Sequence, residues 1–289
     1  MTRALVLGGG GPLGVAWESG VITGFAQGGV DLGQADYIQG TSAGAIVGAR
    51  LASGVSAAAL ADAVLDRASA QIRPPVGGSP DALRRMVQML REAQGGTRNP
   101  AEMRRELGAL ALGADGAAEA EFLEIIGREL GAIAHQGWPA RAFACTAVDV
   151  QDGGFQLWEA GSGVDLLPAV TSSACVPGLC APITLKGRRY MDGGMRSATN
   201  ADLAVGHEIV VLIAMQTPAA AQGPFARVID EEVESLQEDG ATVVVVTPDE
   251  GSVAACGENL MDAARKPAVA RAGVAQGLAQ AAVLKEVWG

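Results

Sequence analysis

The sequence contains few of the residues that mark nucleic-acid and metal sites. Its 289 residues include only two histidines, and 21 lysines and arginines stand against 32 acidic residues, which gives a net charge of −11. This charge argues against a nucleic-acid partner and against electrostatic attraction to an anionic bilayer. The four cysteines form no Cys-x-x-Cys pair and have no neighbouring histidine, so we expect reduced thiols and no metal site.

Long hydrophobic runs are also missing. The longest apolar run near the predicted sheet covers residues 209–215, which is far too short to cross a bilayer and predicts no integral membrane segment. The first residues lack a basic segment followed by a long apolar stretch, so we expect no signal peptide and a cytoplasmic protein. Aromatic residues make up only 4% of a chain that is 49% hydrophobic. The core is therefore expected to be packed with small residues.

Short apolar runs alternate with helical stretches along most of the chain. Five runs predict buried parallel strands: ALVL, DYIQG, RAFACTAV, EIVVLIA and TVVVVT. Helical patterns fall at residues 15–27, 43–53, 56–67, 119–130, 227–239 and 267–287. This alternation predicts an α/β fold, a three-layer α/β/α sandwich with a mostly parallel central sheet. The length allows all residues, 1–289, to form a single domain.

Two segments break the alternation. Residues 147–160 alternate around a glycine-rich turn and predict an antiparallel hairpin. Residues 72–116 combine proline and glycine punctuation with two short helical patterns and no strand. Insertions of this size often frame a ligand site in α/β folds, so we interpret this one as a candidate cap, with simple packing on the sheet as the alternative.

A glycine-rich loop, LVLGGGGPLG at residues 5–14, follows the first predicted strand. Gly9, Gly11 and Gly14 fit the Gly-x-Gly-x-x-Gly pattern of a dinucleotide site, in which the loop cradles phosphate. The same loop could instead present backbone N–H groups to an oxyanion. The pattern alone does not distinguish these two interpretations.

The second predicted strand runs into Gly-Thr-Ser-Ala-Gly at residues 40–44. This is the Gly-x-Ser-x-Gly pattern of a nucleophile elbow, in which Ser42 stands on a sharp strand-to-helix turn and Gly40 and Gly44 avoid collisions. The helix N-terminus that follows favours a developing negative charge. A purely structural turn is the alternative.

The end of the second strand also argues against a dinucleotide site. That site needs an Asp or Glu there to hold the ribose, whereas this strand ends in Gln39-Gly40-Thr41-Ser42. Two glycine-bearing loops at the carboxyl ends of neighbouring strands instead place the amides of Gly9, Gly10 and Gly11 beside Ser42. The sequence therefore predicts an oxyanion hole and no cofactor.

With these motifs the sequence resembles the patatin-like phospholipase family of bacteria. The resemblance rests on GGGGPLG, on GTSAG, on SSACVPGLCAPITLKGRRYMDGG at residues 172–194, and on NADLA at residues 200–204. It implies a patatin-like fold and hydrolysis of an acyl ester or phospholipid substrate through a Ser–Asp dyad. Ser42 would be the nucleophile and Asp192, followed by Gly193 and Gly194, the base.

The first loop departs from the family pattern. The family usually carries Arg or Lys before the last glycine of this loop, where the present chain has Leu13, preceded by Pro12. Proline has no N–H, so the oxyanion donors must come from the remaining glycines, chiefly Gly10 and Gly11, together with Ala43.

Three alternatives to this interpretation stay open. A second Asp-Gly-Gly triplet at Asp152 fits the tip of the predicted hairpin. A Ser-His-Asp esterase would have to use His135, at a helix end, or His207, before a strand. A non-catalytic lipid- or acyl-binding module on the same fold is the third alternative.

Overall fold

One mixed sheet organises the protein. The computed structural model describes residues 1–67, 78–216 and 226–289. In these residues the strands are β1 (Arg3–Leu7), β2 (Tyr37–Gly40), β3 (Ala142–Asp149), β4 (Phe155–Glu159), β5 (Ile183–Leu185), β6 (Arg188–Asp192), β7 (Ile209–Ile213) and β8 (Thr242–Val246). Their order is β5-β6-β3-β2-β1-β7-β8, with β4 paired to β3 off this path. All pairs from β3 through β8 along this order are parallel, whereas β4, β5 and β6 pair antiparallel.

Helices cover both faces of this sheet. They are α1 (Gly11–Gln27), α2 (Ala43–Ala52), α3 (Leu60–Arg67), α4 (Pro80–Gln94), α5 (Pro100–Gly113), α6 (Glu119–Leu130), α7 (Leu166–Ser173), α8 (Ala226–Glu238), α9 (Glu250–Cys256) and α10 (Lys266–Trp288). Alternate residues of β1 separate into two buried clusters, with Leu5 and Leu7 on one face and Ala4 and Val6 on the other. The predicted α/β/α sandwich with a mostly parallel sheet is confirmed.

Strand β3 brings two distant segments to the same edge. Gly40 at the end of β2 pairs with Cys145, and Asp192 at the end of β6 pairs with Ala147. Strand β4 pairs with one edge of β3. Strands β2 and β6 both pair with the opposite edge, where they approach each other from opposite directions. The loops that follow them, with Ser42 and Gly193, therefore meet beside the middle of β3.

The predicted insertion forms a helical hairpin against the sheet. Helices α4 and α5 bury Leu90, Met103 and Leu107 in a cluster that also contains Val148 of β3 and Met191 of β6. The two predicted helical patterns and the absence of strands hold for residues 78–116, whereas residues 72–77 lie outside the described residues. The cap and the single-domain organisation stay predictions. The predicted hairpin at residues 147–160 is present as β3 and β4.

Candidate active site

Ser42 lies on a strained turn between β2 and α2. Its backbone has φ 55° and ψ −112°, a left-handed conformation that a non-glycine residue rarely adopts, and the residue is 7% exposed. The Ser42 N–H donates to Ser173 Oγ at 3.0 Å, which holds the turn from the α7 side. Ser42 is also the residue at the start of α2, so its hydroxyl stands near the positive end of that helix.

The two glycines of the elbow are required by space. A Cβ on Gly40 would lie 2.4 Å from Gly44 O, and a Cβ on Gly44 would lie 2.2 Å from Leu7 O. Real Cβ atoms do not approach oxygen so closely. The spacing of glycines around Ser42 thus follows from tight packing of α2 on β1 and β2.

Asp192 ends β6 with its carboxylate almost fully buried, at 2% exposure. Oδ1 accepts the Gly194 N–H at 2.7 Å, and the Asp192 N–H donates to Cys175 O at 2.9 Å. Burial raises the pKa of Asp192 to about 7, while the Gly194 N–H and the Ser42 hydroxyl lower it.

Ser42 and Asp192 are close, but their contact is loose. The Ser42 hydroxyl is near enough to lower the pKa of Asp192, yet Oδ2 of Asp192 has no partner of full hydrogen-bond geometry among the described residues. A contact between a nucleophile and its base is often long without substrate and shortens when substrate binds. Oδ2 thus remains available to accept a hydrogen bond, next to the oxygen that binds the Gly194 N–H.

The backbone N–H groups predicted to form the oxyanion hole differ in whether they already have a hydrogen-bond partner. The N–H of Gly9 already donates to Ala198 O at 2.7 Å, so the expectation that Gly9 donates to an oxyanion is corrected. The N–H groups of Gly10, Gly11 and Ala43 have no hydrogen-bond partner among the described residues. Gly9 instead brings the loop close, because a Cβ placed on it would lie 3.5 Å from Ser42 Cβ.

Gly14 and Leu13 shape the helix behind this loop. The Gly14 N–H closes the first turn of α1 on Gly10 O at 2.8 Å, and a Cβ on Gly14 would lie 3.0 Å from Ala43 Cβ. Leu13 is completely buried in the main core cluster. The position that usually carries a cation in the family thus contributes to packing.

The sequence analysis assigned no role to three polar residues that lie around the site. Ser173 holds the Ser42 N–H, Thr146 Oγ1 lies 2.9 Å from Thr41 Oγ1, and Asn200 Nδ2 lies 3.1 Å from Thr41 Oγ1. All three fell within quoted stretches of sequence, but the patterns indicated no role for their side chains. These contacts join residues more than 100 positions apart, so no local spacing could indicate them.

The second Asp-Gly-Gly triplet lies at the hairpin tip, as its pattern indicated. Asp152 Oδ1 accepts the Gly154 N–H at 2.8 Å, and Oδ2 pairs with Arg188 Nη2 at 2.5 Å. The Asp152 side chain is 60% exposed. Its environment is therefore that of a turn residue with a surface ion pair.

Both histidines precede a strand in the sequence. His207 precedes β7, stacks on Tyr37 with ring centroids 5.3 Å apart, and places Nδ1 2.9 Å from Ala204 O. His135 is exposed at the end of a short 3₁₀ turn before β3. Ser42 follows the carboxyl end of β2, whereas His207 stacks on Tyr37 at the amino end of the same strand, so the two lie at opposite ends of the parallel strands.

Metal-binding clusters and membrane-spanning helices are absent from the described part of the chain. No group of three or more His, Cys, Asp or Glu side chains there could hold a metal ion. Within the same residues, no helix combines the length and apolar character that a bilayer crossing requires. All four cysteines are buried and free.

Comparisons with known proteins were made at the level of structure, sequence and family. The structure of VipD from Legionella pneumophila is 15% identical, with a TM-score of 0.47, and the match covers 98% of this chain and 67% of that one. The type III effector protein ExoU is 17% identical, with a TM-score of 0.39 and coverage of 96% and 53%. The chain thus spans about half of ExoU. No curated protein sequence matches significantly. The family model for patatin-like phospholipase matches residues 5–205, including both glycine loops and Asp192, so the chain belongs to the patatin-like phospholipase family.

Proposed function

We propose that this protein is a serine lipid acyl hydrolase that cleaves acyl esters with Ser42 as nucleophile and Asp192 as general base. Membership of the family implies lipid acyl hydrolase activity. The dyad is supported by one observation above all: a buried carboxylate with a pKa near 7 lies beside a hydroxyl held on a left-handed turn. A base with a pKa near the operating pH is the most effective kind.

In acylation, Asp192 first accepts a proton from Ser42 and then donates it to the leaving group. Ionised Asp192 takes the proton of Ser42 Oγ as that oxygen attacks the ester carbonyl carbon. The tetrahedral oxyanion accepts hydrogen bonds from Gly10, Gly11 and Ala43 N–H groups. Collapse of this intermediate breaks the bond to the leaving oxygen, which receives the proton from Asp192 and departs as an alcohol.

Deacylation repeats the sequence with water. Asp192, ionised again, takes one proton from a water molecule while the water oxygen attacks the acyl carbon. The same three N–H groups stabilise the second tetrahedral intermediate. Collapse returns the proton from Asp192 to Ser42 Oγ and releases a carboxylic acid, so the enzyme ends in its starting state.

The first loop bears on which esters are hydrolysed. Leu13 is buried in the core at the position where the family usually carries a cation, so this position offers no charge to a phosphate. Recognition through the acyl ester is then the main contribution of this loop. The proposal covers acyl esters as a class, with phospholipids and lysophospholipids as members.

Mutation of the two residues tests the proposal. Ser42→Ala and Asp192→Asn should each reduce kcat on an aryl ester by roughly 10³-fold or more, and the double mutant should be hardly worse, because residues acting as a unit are non-additive. Asp152→Asn is the matched control and should retain activity within a few-fold, since Asn also suits such turns. A folded Ser42→Ala enzyme with wild-type turnover would refute the mechanism, and an inactive Asp152→Asn would shift the base to the hairpin.

A further inference from the structure

The side-chain amide of Asn200 lies between the nucleophile segment and the base segment. Its Nδ2 is 3.1 Å from Thr41 Oγ1, on the residue before Ser42, and 3.3 Å from Gly193 O, on the residue after Asp192. It also lies 3.4 Å from Thr146 Oγ1 on β3 and 2.8 Å from Ser197 O. This –NH2 group, which has two hydrogens to donate, thus lies within 3.4 Å of acceptors on three segments of the chain: Thr41, Thr146 and the loop from Gly193 to Ser197.

The conformation of Asn200 is unusual and fully enclosed. The residue is 0% exposed and adopts a left-handed backbone with φ 50° and ψ 38°. Asparagine tolerates this conformation better than most residues. Its Oδ1 accepts from Arg196 Nη1 at 2.8 Å, and Arg196 in turn pairs with Asp202 at 2.5 Å. The orientation of the amide is therefore fixed from both ends.

The backbone around Asn200 is held from a second direction. Gln39 Nε2, on β2, donates to Asn200 O at 2.7 Å, and the Asn200 N–H donates to Ser197 Oγ at 3.1 Å. Glu232 of α8 accepts from Thr199 Oγ1 at 2.5 Å and from the N–H that follows Asn200 at 2.9 Å. Such a fully bonded buried network fixes one geometry.

We propose that Asn200 is a positioning residue that sets the distance between Ser42 and Asp192. Its amide lies within hydrogen-bond distance of both Thr41 and Gly193, whereas the other links between the two segments run through a third one: the pairing of each with β3, and the stretch from Ser173 to Cys175 that accepts the N–H groups of Ser42 and Asp192. The inference rests on the proposed function, because the distance matters only if the pair transfers a proton. A misplacement of about 1 Å in such a pair can cost about 10²-fold in rate.

Asn200→Gly isolates the amide from the backbone. Glycine adopts a left-handed conformation at no cost, so this change removes the side chain without adding strain. We expect kcat on an aryl ester to fall by about 10²-fold with KM changed by less than about three-fold, since the lost interaction acts in the transition state. In the Asp192→Asn background the same change should cost little, because the proton transfer that it supports is already lost.

Gln276→Ala provides a matched control elsewhere in the core. Gln276 is also a buried amide, and its Oε1 accepts from Trp17 Nε1 at 3.1 Å and from Ser252 Oγ at 2.8 Å, while Nε2 donates to Thr247 O at 2.7 Å. Its loss should lower Tm as Asn200→Gly does but leave kcat near wild type. Circular dichroism and Tm establish folding for both variants.

The outcomes separate this inference from the proposed function. Wild-type kcat in folded Asn200→Gly, or an equal loss in the Asp192→Asn background, would overturn the positioning role while leaving the dyad intact. An inactive wild type would overturn the proposed function and the inference with it. If Asn200→Gly does not fold, Thr146→Val tests the same link from β3, and an unchanged kcat in that variant overturns the inference.

Discussion

At the residue scale, the proposed chemistry depends on the protonation of Asp192. Burial raises the pKa of this carboxyl to about 7, and the hydrogen bonds from Gly194 and Ser42 only partly oppose it. A carboxyl at its ordinary pKa of about 3.9 would be a weak base towards a serine hydroxyl. The buried environment thus supplies basicity that an exposed aspartate lacks.

The raised pKa predicts an acid limb in the pH profile. Only ionised Asp192 can accept the proton of Ser42, so kcat/KM on an aryl ester should be full above pH 7 and fall by about ten-fold per unit as pH drops below it. The profile from pH 5 to 9 measures this midpoint. A midpoint near pH 4 would mean that the base is an exposed carboxyl instead.

Removal of both histidines tests whether the acid limb belongs to a carboxyl. His135→Ala/His207→Ala eliminates every imidazole in the chain. We expect activity within about ten-fold of wild type and an unchanged midpoint, because loss of a catalytic histidine typically costs 10⁴-fold or more. A folded but inert double mutant would replace the dyad with a Ser-His-Asp arrangement.

Some residues of the site could be predicted from the sequence and others could not. The motif around Ser42 and the resemblance around Asp192 named the residues that the fold brings together. The hydrogen bond from the Gly9 N–H to Ala198 O was not predictable from the sequence. Neither were the contacts of the Asn200 amide with Thr41 and Gly193. Both depend on where residues almost 200 and 160 positions away come to lie, and no local pattern encodes that approach.

At the element scale, the turn after β6 is pressed against β3. A Cβ on Gly193 would lie 2.1 Å from Thr146 Oγ1 and 2.6 Å from Thr146 O. Gly193→Ala should therefore displace the loop that carries Asp192, reducing kcat by about 10²-fold and costing about 1–3 kcal/mol of stability. Gly137→Ala is the control, since a Cβ there meets nothing within 4 Å. Equal behaviour of the two variants in kinetics and thermal unfolding would contradict the account.

The hairpin of α4 and α5 forms the described part of the predicted cap. A groove of about 500 Å³ runs between these helices, and Met89 and Leu110 line part of it. If the groove receives acyl chains, Leu110→Trp should reduce hydrolysis of long-chain esters relative to short ones while Ser42 stays reactive. Leu112→Trp, on the same helix but 50% exposed, should leave the ratio unchanged. An unaltered ratio in folded Leu110→Trp would reduce the hairpin to packing.

Elements differed in how well the sequence predicted them. Strands β3, β7 and β8 were predictable because each is an apolar run of the length expected for a buried strand. Helix α2 was predictable because a helical pattern follows the glycine motif around Ser42. The short helices α7 and α9 were not among the predicted helical patterns. Seven or eight residues give too few turns for a periodic pattern, and tertiary packing stabilises such segments.

At the scale of the whole molecule, the last helix supports the first loop. Helix α10 lies beyond residues 5–205 of the family match, yet it packs backbone to backbone on α1, which begins in the first glycine-rich loop. A Cβ on Gly277 would lie 2.2 Å from Val21 O, and one on Gly24 would lie 2.2 Å from Val274 O. The small-residue core predicted from composition is most evident at this interface.

Gly277→Ala tests this support. The added methyl should force the helices apart and lower the free energy of unfolding by about 2–3 kcal/mol, as overpacking does. Gly127→Ala, also within a helix, meets only Leu167 at 3.8 Å and should be neutral or stabilise by up to about 1 kcal/mol. Denaturant unfolding of the two variants gives the comparison. A fully stable Gly277→Ala would mean that the two helices are not in backbone contact.

The central claim is that Ser42 is an activated nucleophile, and covalent labelling tests it most directly. A fluorophosphonate probe reacts with activated serine hydroxyls, and peptide mapping of the labelled protein identifies the modified residue. We expect a single adduct on Ser42, lost in Ser42→Ala and strongly slowed in Asp192→Asn, because the base that activates the hydroxyl is then missing. An adduct on another residue, or no adduct on the folded protein, would contradict this claim.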